Sequence, residues 1–324
     1  MNRRVGLIGG LAALGLAGLG AAGLFIRRRN TGVPQPLPQM PADAFADAHA
    51  PLTPPQGSLR VFHLGHSLVG RDMPAMLAQL APAGHAYASQ LGWGATLRSH
   101  WLGPDEVPGF AEENAHPAHR PAREAIQGGD YDAVILTEMV ELRDAIKWHG
   151  SGNYLAEWAR FARQARPDAR VYLYETWHRL DDKEGWLDRI AGDAGPLWQD
   201  ELMRRAMGAE GVGPIYRLPG GPALAAVVRA AEAGELPGVD GREALFARTP
   251  DGSVDQIHLG DLGNYVIALT HYAVLYQRSP EGLPAQLGRA DGSAAQAFDA
   301  ENAARVQRIV WQVVASDPLT GIAS

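Results

Sequence analysis

The chain has 324 residues, 46% of them apolar and 20% charged, which excludes wholesale disorder and collagen-like structure. Cysteine is absent, so disulfides, thiolate metal sites, iron–sulfur clusters and a cysteine nucleophile are excluded as well. The 29 basic and 36 acidic residues leave a net charge of −7, the wrong balance for a nucleic-acid partner.

Residues 5–26 read VGLIGGLAALGLAGLGAAGLFI, with no charged side chain, and are long enough to cross a bilayer as a helix. Arg3 and Arg4 precede them; Arg27, Arg28 and Arg29 follow. Residues 1–30 therefore read as a membrane anchor or signal segment. A glycine pattern at Gly6–Gly10 has no strand before it and is no dinucleotide loop. Ala42-Asp43-Ala44 lies far beyond the apolar run for a cleavage site. The expectation is an uncleaved anchor, with the rest of the chain exported to the periplasmic or extracytoplasmic side. Without residues 1–30 the body carries 24 basic and 36 acidic residues, so an anionic membrane surface does not attract it. Residues 31–58 hold seven prolines and few large apolar side chains, and read as a semi-extended linker.

From residue 59 to 324 strands alternate with helices. Strands are expected at 59–64, 85–90, 131–137, 169–177 and 212–218. Helices are expected at about 72–81, 153–165, 196–209, 222–234, 260–277 and 293–316. The glycine- and proline-rich stretch 235–254 reads as a lid or a surface loop. Alternation of this kind gives an α/β fold, a parallel sheet covered on both faces, whose ligands bind beyond the carboxyl ends of the strands.

The first strand ends in Gly65-His66-Ser67-Leu68. A serine there is either an activated nucleophile or an ordinary helix cap. Near the end of the chain stands Asp255-Gln256-Ile257-His258. A serine needs a base, and the base needs a carboxylate to fix its tautomer; this segment offers both. The G-x-S-x-G elbow of α/β-hydrolases does not fit, because Val69 stands at its fifth position. His63 with His66, and His116 with His119, are spaced three apart with no acidic third ligand, so no metal is assigned. Trp93, Trp101, Trp148, Trp177 and Trp186 fall near strand ends, where an aromatic face suits a sugar ring or an acyl chain. His178 follows the fourth strand as a substrate contact or a solvent-facing residue.

Together, Gly65-His66-Ser67-Leu68 and Asp255-x-x-His258-Leu259 resemble the first and last sequence blocks of the SGNH (GDSL-type) hydrolase superfamily. The resemblance implies a three-layer α/β/α sandwich with a flavodoxin-like parallel sheet. It implies a serine esterase without a cofactor, with Ser67, Asp255 and His258 as its catalytic set. It also implies an oxyanion hole from the Ser67 and Gly94 amides. Gly94 lies in a stretch followed by Leu97-Arg98-Ser99-His100-Trp101, similar to a branch of bacterial SGNH-like domains. The family's third block ends in an asparagine donor, where this chain has Leu136-Thr137-Glu138. Thr137 is then the candidate third donor, and Glu138, Trp93 and Trp177 are candidate substrate contacts. The implied substrate is a small-molecule or glycan ester, an O-acetylated glycan above all. The alternatives are an acyltransferase on envelope glycans and an inactive glycan-binding protein of the same fold.

Overall fold

The structure is a computed structural model and describes residues 32–323. The expected anchor, residues 1–30, lies outside the described residues. Among the described residues no helix is long and apolar enough to cross a membrane.

The body begins at Val33, not at residue 59. The proline-rich segment is no free linker, because it is bonded along its length. Its helix α1 (Ala42–Ala48) buries Phe45. The Met40 amide donates to the Arg204 carbonyl at 2.8 Å, and Arg205 Nη1 donates to the Leu37 carbonyl at 2.6 Å. Leu52 N donates to Gly321 O at 2.8 Å, and the Tyr216 hydroxyl to Ala50 O at 3.0 Å. Proline removes donors from a chain but leaves every carbonyl free to accept. One buried aromatic and main-chain bonds in both directions therefore fix a segment whose composition looks solvated.

The main remaining elements follow in chain order. They begin with β1 (Arg60–Leu64), α2 (Asp72–Leu80), β2 (Ala86–Gln90), α3 (Leu97–Leu102), α4 (Ala122–Gln127) and β3 (Ala133–Leu136). They continue with α5 (Ser151–Ala165), β4 (Arg170–Glu175), α6 (Trp186–Asp193), β5 (Ile215–Pro219) and α7 (Gly220–Glu232). The chain ends with β6 (Phe246–Arg248), β7 (Val254–Leu259), α8 (Asp261–Tyr276) and α9 (Ala300–Ser316). The five central strands are parallel in the order β2-β1-β3-β4-β5. This is the expected α/β/α sandwich with a flavodoxin-like sheet.

The period-2 geometry of the strands divides the core. Val61, Ile135, Tyr172, Tyr174 and Leu218 face one layer with α2, α7, α8 and α9. Phe62, Leu64, Val134, Leu136, Val171 and Leu173 face the other, with α3, α4 and α5. Strands buried on both faces read as continuous apolar runs, which is why 131–137 stands out in the sequence.

Three expectations need correction. The helix expected at 196–209 starts at Trp186 and widens into π-type winding over Ala194–Arg204, where Pro196 has no N–H to give to the α ladder. The last helix starts at Ala300, not 293; the Asp299 carboxylate caps it by accepting from Asn302 N at 2.8 Å. Residues 235–254 are not a free loop, although about half of them are exposed. Leu236, Val239, Leu245 and Phe246 are buried there, and β6 pairs antiparallel with β7.

Candidate active site

The loop after β1 is held from beneath. A Cβ on Gly65 would stand 2.6 Å from Thr137 Cβ, so only glycine lets β1 and β3 approach this closely at their ends. The helix α2 begins at Asp72, and Ser67 caps nothing. Instead Ser67 stands partly exposed on a turn closed by Val69 N donating to His66 O at 2.9 Å.

Two buried imidazoles brace this turn. His66 Nε2 donates to the Glu138 carbonyl at 2.8 Å, and His66 Nδ1 accepts from Leu68 N at 3.3 Å. His100 Nε2 donates to the Gly65 carbonyl at 2.7 Å, while its Nδ1 accepts from the Gln90 amide at 2.9 Å. Each ring uses one nitrogen as donor and the other as acceptor, so each is neutral and its tautomer is set by its partners. Burial drives both well down, to about 4. Sequence reasoning missed both as supports. The G-x-x-L-x-x-H-W spacing, which puts His100 on α3 where it bonds the nucleophile turn, is the signal that could have found His100.

Burial also lowers His85 and His271 to about 4, and His63 well below its ordinary value. An unfolded chain takes up protons on these rings below the ordinary histidine pKa of about 6.5, whereas the folded chain does not. Stability is therefore full above that value and is lost as pH falls toward about 4. Glu138 and Glu175, raised by burial to about 7, act the opposite way, but they are two groups against five. The thermal midpoint is expected to fall steeply between about pH 6.5 and pH 4. Scanning fluorimetry across that range checks it; a flat profile contradicts the buried neutral rings.

The second half of the site rises from β7. Asp255 Oδ1 accepts from the amides of Ile257 and His258, each at 2.8 Å. Asp255 Oδ2 accepts from His258 Nδ1 at 3.0 Å. Partial burial would raise the Asp255 carboxyl, but these donors outweigh it and hold the group below its ordinary value. His258 Nε2 then lies 3.0 Å from Ser67 Oγ. Trp177 Nε1 donates to the Ile257 carbonyl at 2.8 Å and so fixes the strand that carries the base.

Ser67 and His258 open onto a cleft of about 590 Å³, which Gly94 and Trp93 also line. Gly94 takes a positive φ of 52°, with nothing within 4 Å of where a Cβ would stand. Its amide and that of Ser67 have no hydrogen-bond partner among the described residues.

The expected third donor does not join them. Thr137 is fully buried beneath Gly65 and lines no part of the cleft. Glu138 is equally buried. Its Oε1 accepts from Met139 N at 2.8 Å and Leu97 N at 3.3 Å, tying the end of β3 to the start of α3. It is a staple and lines no part of the cleft. Trp177 is 1% exposed, a support rather than a substrate contact. Trp186 is buried too and donates to His178 O at 2.9 Å. Trp101 packs edge-on against Trp158, and Trp148 lines no part of this cleft. Trp93 does reach the cleft. It is 53% exposed; its Nε1 donates to Glu113 Oε1 at 2.8 Å. Gly109 lies so close under the ring that a Cβ there would stand 2.2 Å from it.

No protein-family model and no curated protein matches the chain. Among solved structures, one similar chain is described as a GDSL-like lipase from Parabacteroides merdae. It is 13% identical at a TM-score of 0.41, over 68% of this chain and 97% of that one. Another is a Clostridium thermocellum family 3 carbohydrate esterase, 15% identical at a TM-score of 0.31, over 66% of this chain and 94% of that one.

The far wall of the cleft is ionic. Glu141, His178, Arg179 and Asp182 line it. Behind them Arg189, with only 4% of its side chain exposed, bonds both oxygens of Glu141 at 2.8 and 2.9 Å. It also bonds Asp182 Oδ2 at 2.9 Å and Asp193 Oδ2 at 3.0 Å. His178 Nε2 lies 3.1 Å from the same Asp193 oxygen. Donor atoms of Glu141, His178 and Asp182 come within 4.8 Å of one another, but a metal ion there would share both carboxylates with a guanidinium. Removing one partner of such a cluster leaves buried charge uncompensated. Arg189→Met is expected to destabilise the fold by about 3–5 kcal/mol. Urea unfolding measures it, and a change under about 1 kcal/mol would mean the cluster contributes no more than a surface pair.

Proposed function

We propose that the chain is an SGNH-type serine esterase that removes an acyl group, an O-acetyl on a glycan, through Ser67, His258 and Asp255. One observation carries the reading: His258 Nε2 stands 3.0 Å from Ser67 Oγ while Asp255 Oδ2 holds the opposite ring nitrogen at 3.0 Å. Nδ1–H bonded to a carboxylate leaves Nε2 as the acceptor, the tautomer a general base requires.

Ser67 Oγ attacks the ester carbonyl as its proton passes to His258. The oxyanion that forms is met by the Ser67 and Gly94 amides, both unpartnered among the described residues. His258 returns the proton to the departing alkoxide, leaving an acyl-serine. Water, deprotonated by the same nitrogen, then cleaves the acyl group as a carboxylic acid. These bond changes need no cofactor.

Trp93 and the 590 Å³ cleft support a glycan as the alcohol part. The apolar run 5–26 supports a membrane anchor for the body, and an extracytoplasmic side is part of the proposal. The test is labelling with a fluorophosphonate, followed by peptide mass spectrometry, beside turnover of p-nitrophenyl acetate. Adduct on Ser67 and turnover that labelling abolishes are expected. Turnover that persists after full labelling sinks the assignment.

A further inference from the structure

We propose that this cleft takes an ester whose alcohol portion carries a protonated amine, an inference that rests on the esterase reading of the same site. Three carboxylates line the cleft, Glu113, Glu141 and Asp182, and one cation does, Arg179. The Arg179 guanidinium is spent on Asp181, with bonds of 2.8 and 3.0 Å. Behind the wall, Arg189 and Arg143 face Glu141, Asp182, Glu184 and Asp193, so acid remains in excess. A cleft walled by one sign of charge focuses its field and selects the opposite sign in a ligand.

The wall also has the right chemistry for an ammonium group. Glu141, Asp182 and His178 bring ligand atoms within 4.8 Å of one another, and although Arg189 already uses both carboxylates, each oxygen has further lone pairs for an ammonium, which has three donors and no acceptor. His178 is 3% exposed, and its Nδ1 has no partner among the described residues. Burial first, then the neighbouring Arg189, lowers its pKa, so the ring is neutral and adds no positive charge. Across the cleft, the half-exposed Trp93 ring is pinned by Gly109 and by its bond to Glu113. An aromatic face beside a carboxylate is a cation-binding pair. A plain hydroxyl draws nothing from the charge excess, and a uronate is repelled by it.

The test uses the Ser67→Ala chain, so that binding is read without hydrolysis. Its ligands are β-linked oligomers of glucosamine, glucose and glucuronic acid of equal length, at a pH where the amines are protonated. Titration calorimetry is expected to show the glucosamine oligomer binding at least about tenfold more tightly than the glucose oligomer. The glucuronic acid oligomer is expected to bind more weakly than either. The gap narrows severalfold between about 0.02 and 0.5 M salt. It narrows again in Glu113→Gln, which removes the charge but keeps an oxygen for Trp93. Equal binding of the glucosamine and glucose oligomers, tighter binding of the uronate, or no binding of any oligomer overturns the proposal. So does displacement of the amine ligand by calcium alone, which would make the wall a metal site. Turnover of p-nitrophenyl acetate is scored separately. A chain that hydrolyses it without amine preference loses only this inference, and an inert chain that keeps the preference loses only the esterase reading.

Discussion

Ser67→Ala is expected to lower kcat on p-nitrophenyl acetate by roughly 10⁵–10⁶, with the fold intact. The residue stands on a turn whose hydrogen bonds run through His66, Leu68 and Val69, so losing Oγ removes no support. Among the described residues the one partner stranded is His258 Nε2, and that ring is half in solvent, where water replaces the lost bond. The thermal midpoint should therefore stay within about 1 °C, because small surface changes leave stability almost unmoved. A variant that keeps a tenth of the activity would make Ser67 a bystander.

Asp255→Asn is expected to cost about 10⁴ in kcat. The reason lies in how the carboxylate is shared. One oxygen already serves the amides of Ile257 and His258, and the other holds His258 Nδ1. Asparagine has one oxygen for both tasks. If it stays with the two main-chain donors, its NH₂ group faces Nδ1 and stabilises the tautomer with the proton on Nε2. That tautomer cannot accept from Ser67. If the amide turns round, two N–H groups lose their acceptor and the strand loosens. Either way Asp255→Glu should not rescue, since the longer arm breaks the paired 2.8 Å bonds. Single-turnover kinetics with wild type, Asp255→Asn and Asp255→Glu measure this. Near-normal rates in Asp255→Asn would show that His258 keeps its tautomer without the carboxylate.

Both expectations depend on residues that the sequence exposed, and the reason is local. A serine straight after a buried strand and an Asp three residues before a His are short-range patterns, and short-range patterns survive in a linear text. The parallel sheet is legible for the same reason: 131–137 and 169–177 are apolar on both alternating faces, and the helices between them have helical spacing. What the sequence hid depends on distant partners. Thr137 and Glu138 stand where the sequence resemblance led us to expect a donor, yet one packs under Gly65 and the other anchors Leu97. Trp177 and Trp93 have the same chemistry, but the sheet buries one and leaves the other at the cleft. The stretch 235–254 has the composition of a surface loop, yet a few apolar residues pair it with the strand carrying the base. The proline-rich segment misleads in the same way, because it is anchored by main-chain amides and carbonyls and one buried ring, which composition does not count.

The carboxylate and the imidazole of the site lie three residues apart on one short strand, whereas the serine is 191 residues away from the imidazole. Their mutual geometry is thus written into six residues and arrives ready-made wherever that strand is placed. Only one separation, from Nε2 to Oγ, is left for the tertiary fold to define. A three-body alignment becomes a two-body one. An insertion or deletion between the two pieces leaves the proton relay intact so long as that single gap is preserved, and the intervening chain away from Gly94, His100 and Trp177 is free to vary in what it recognises.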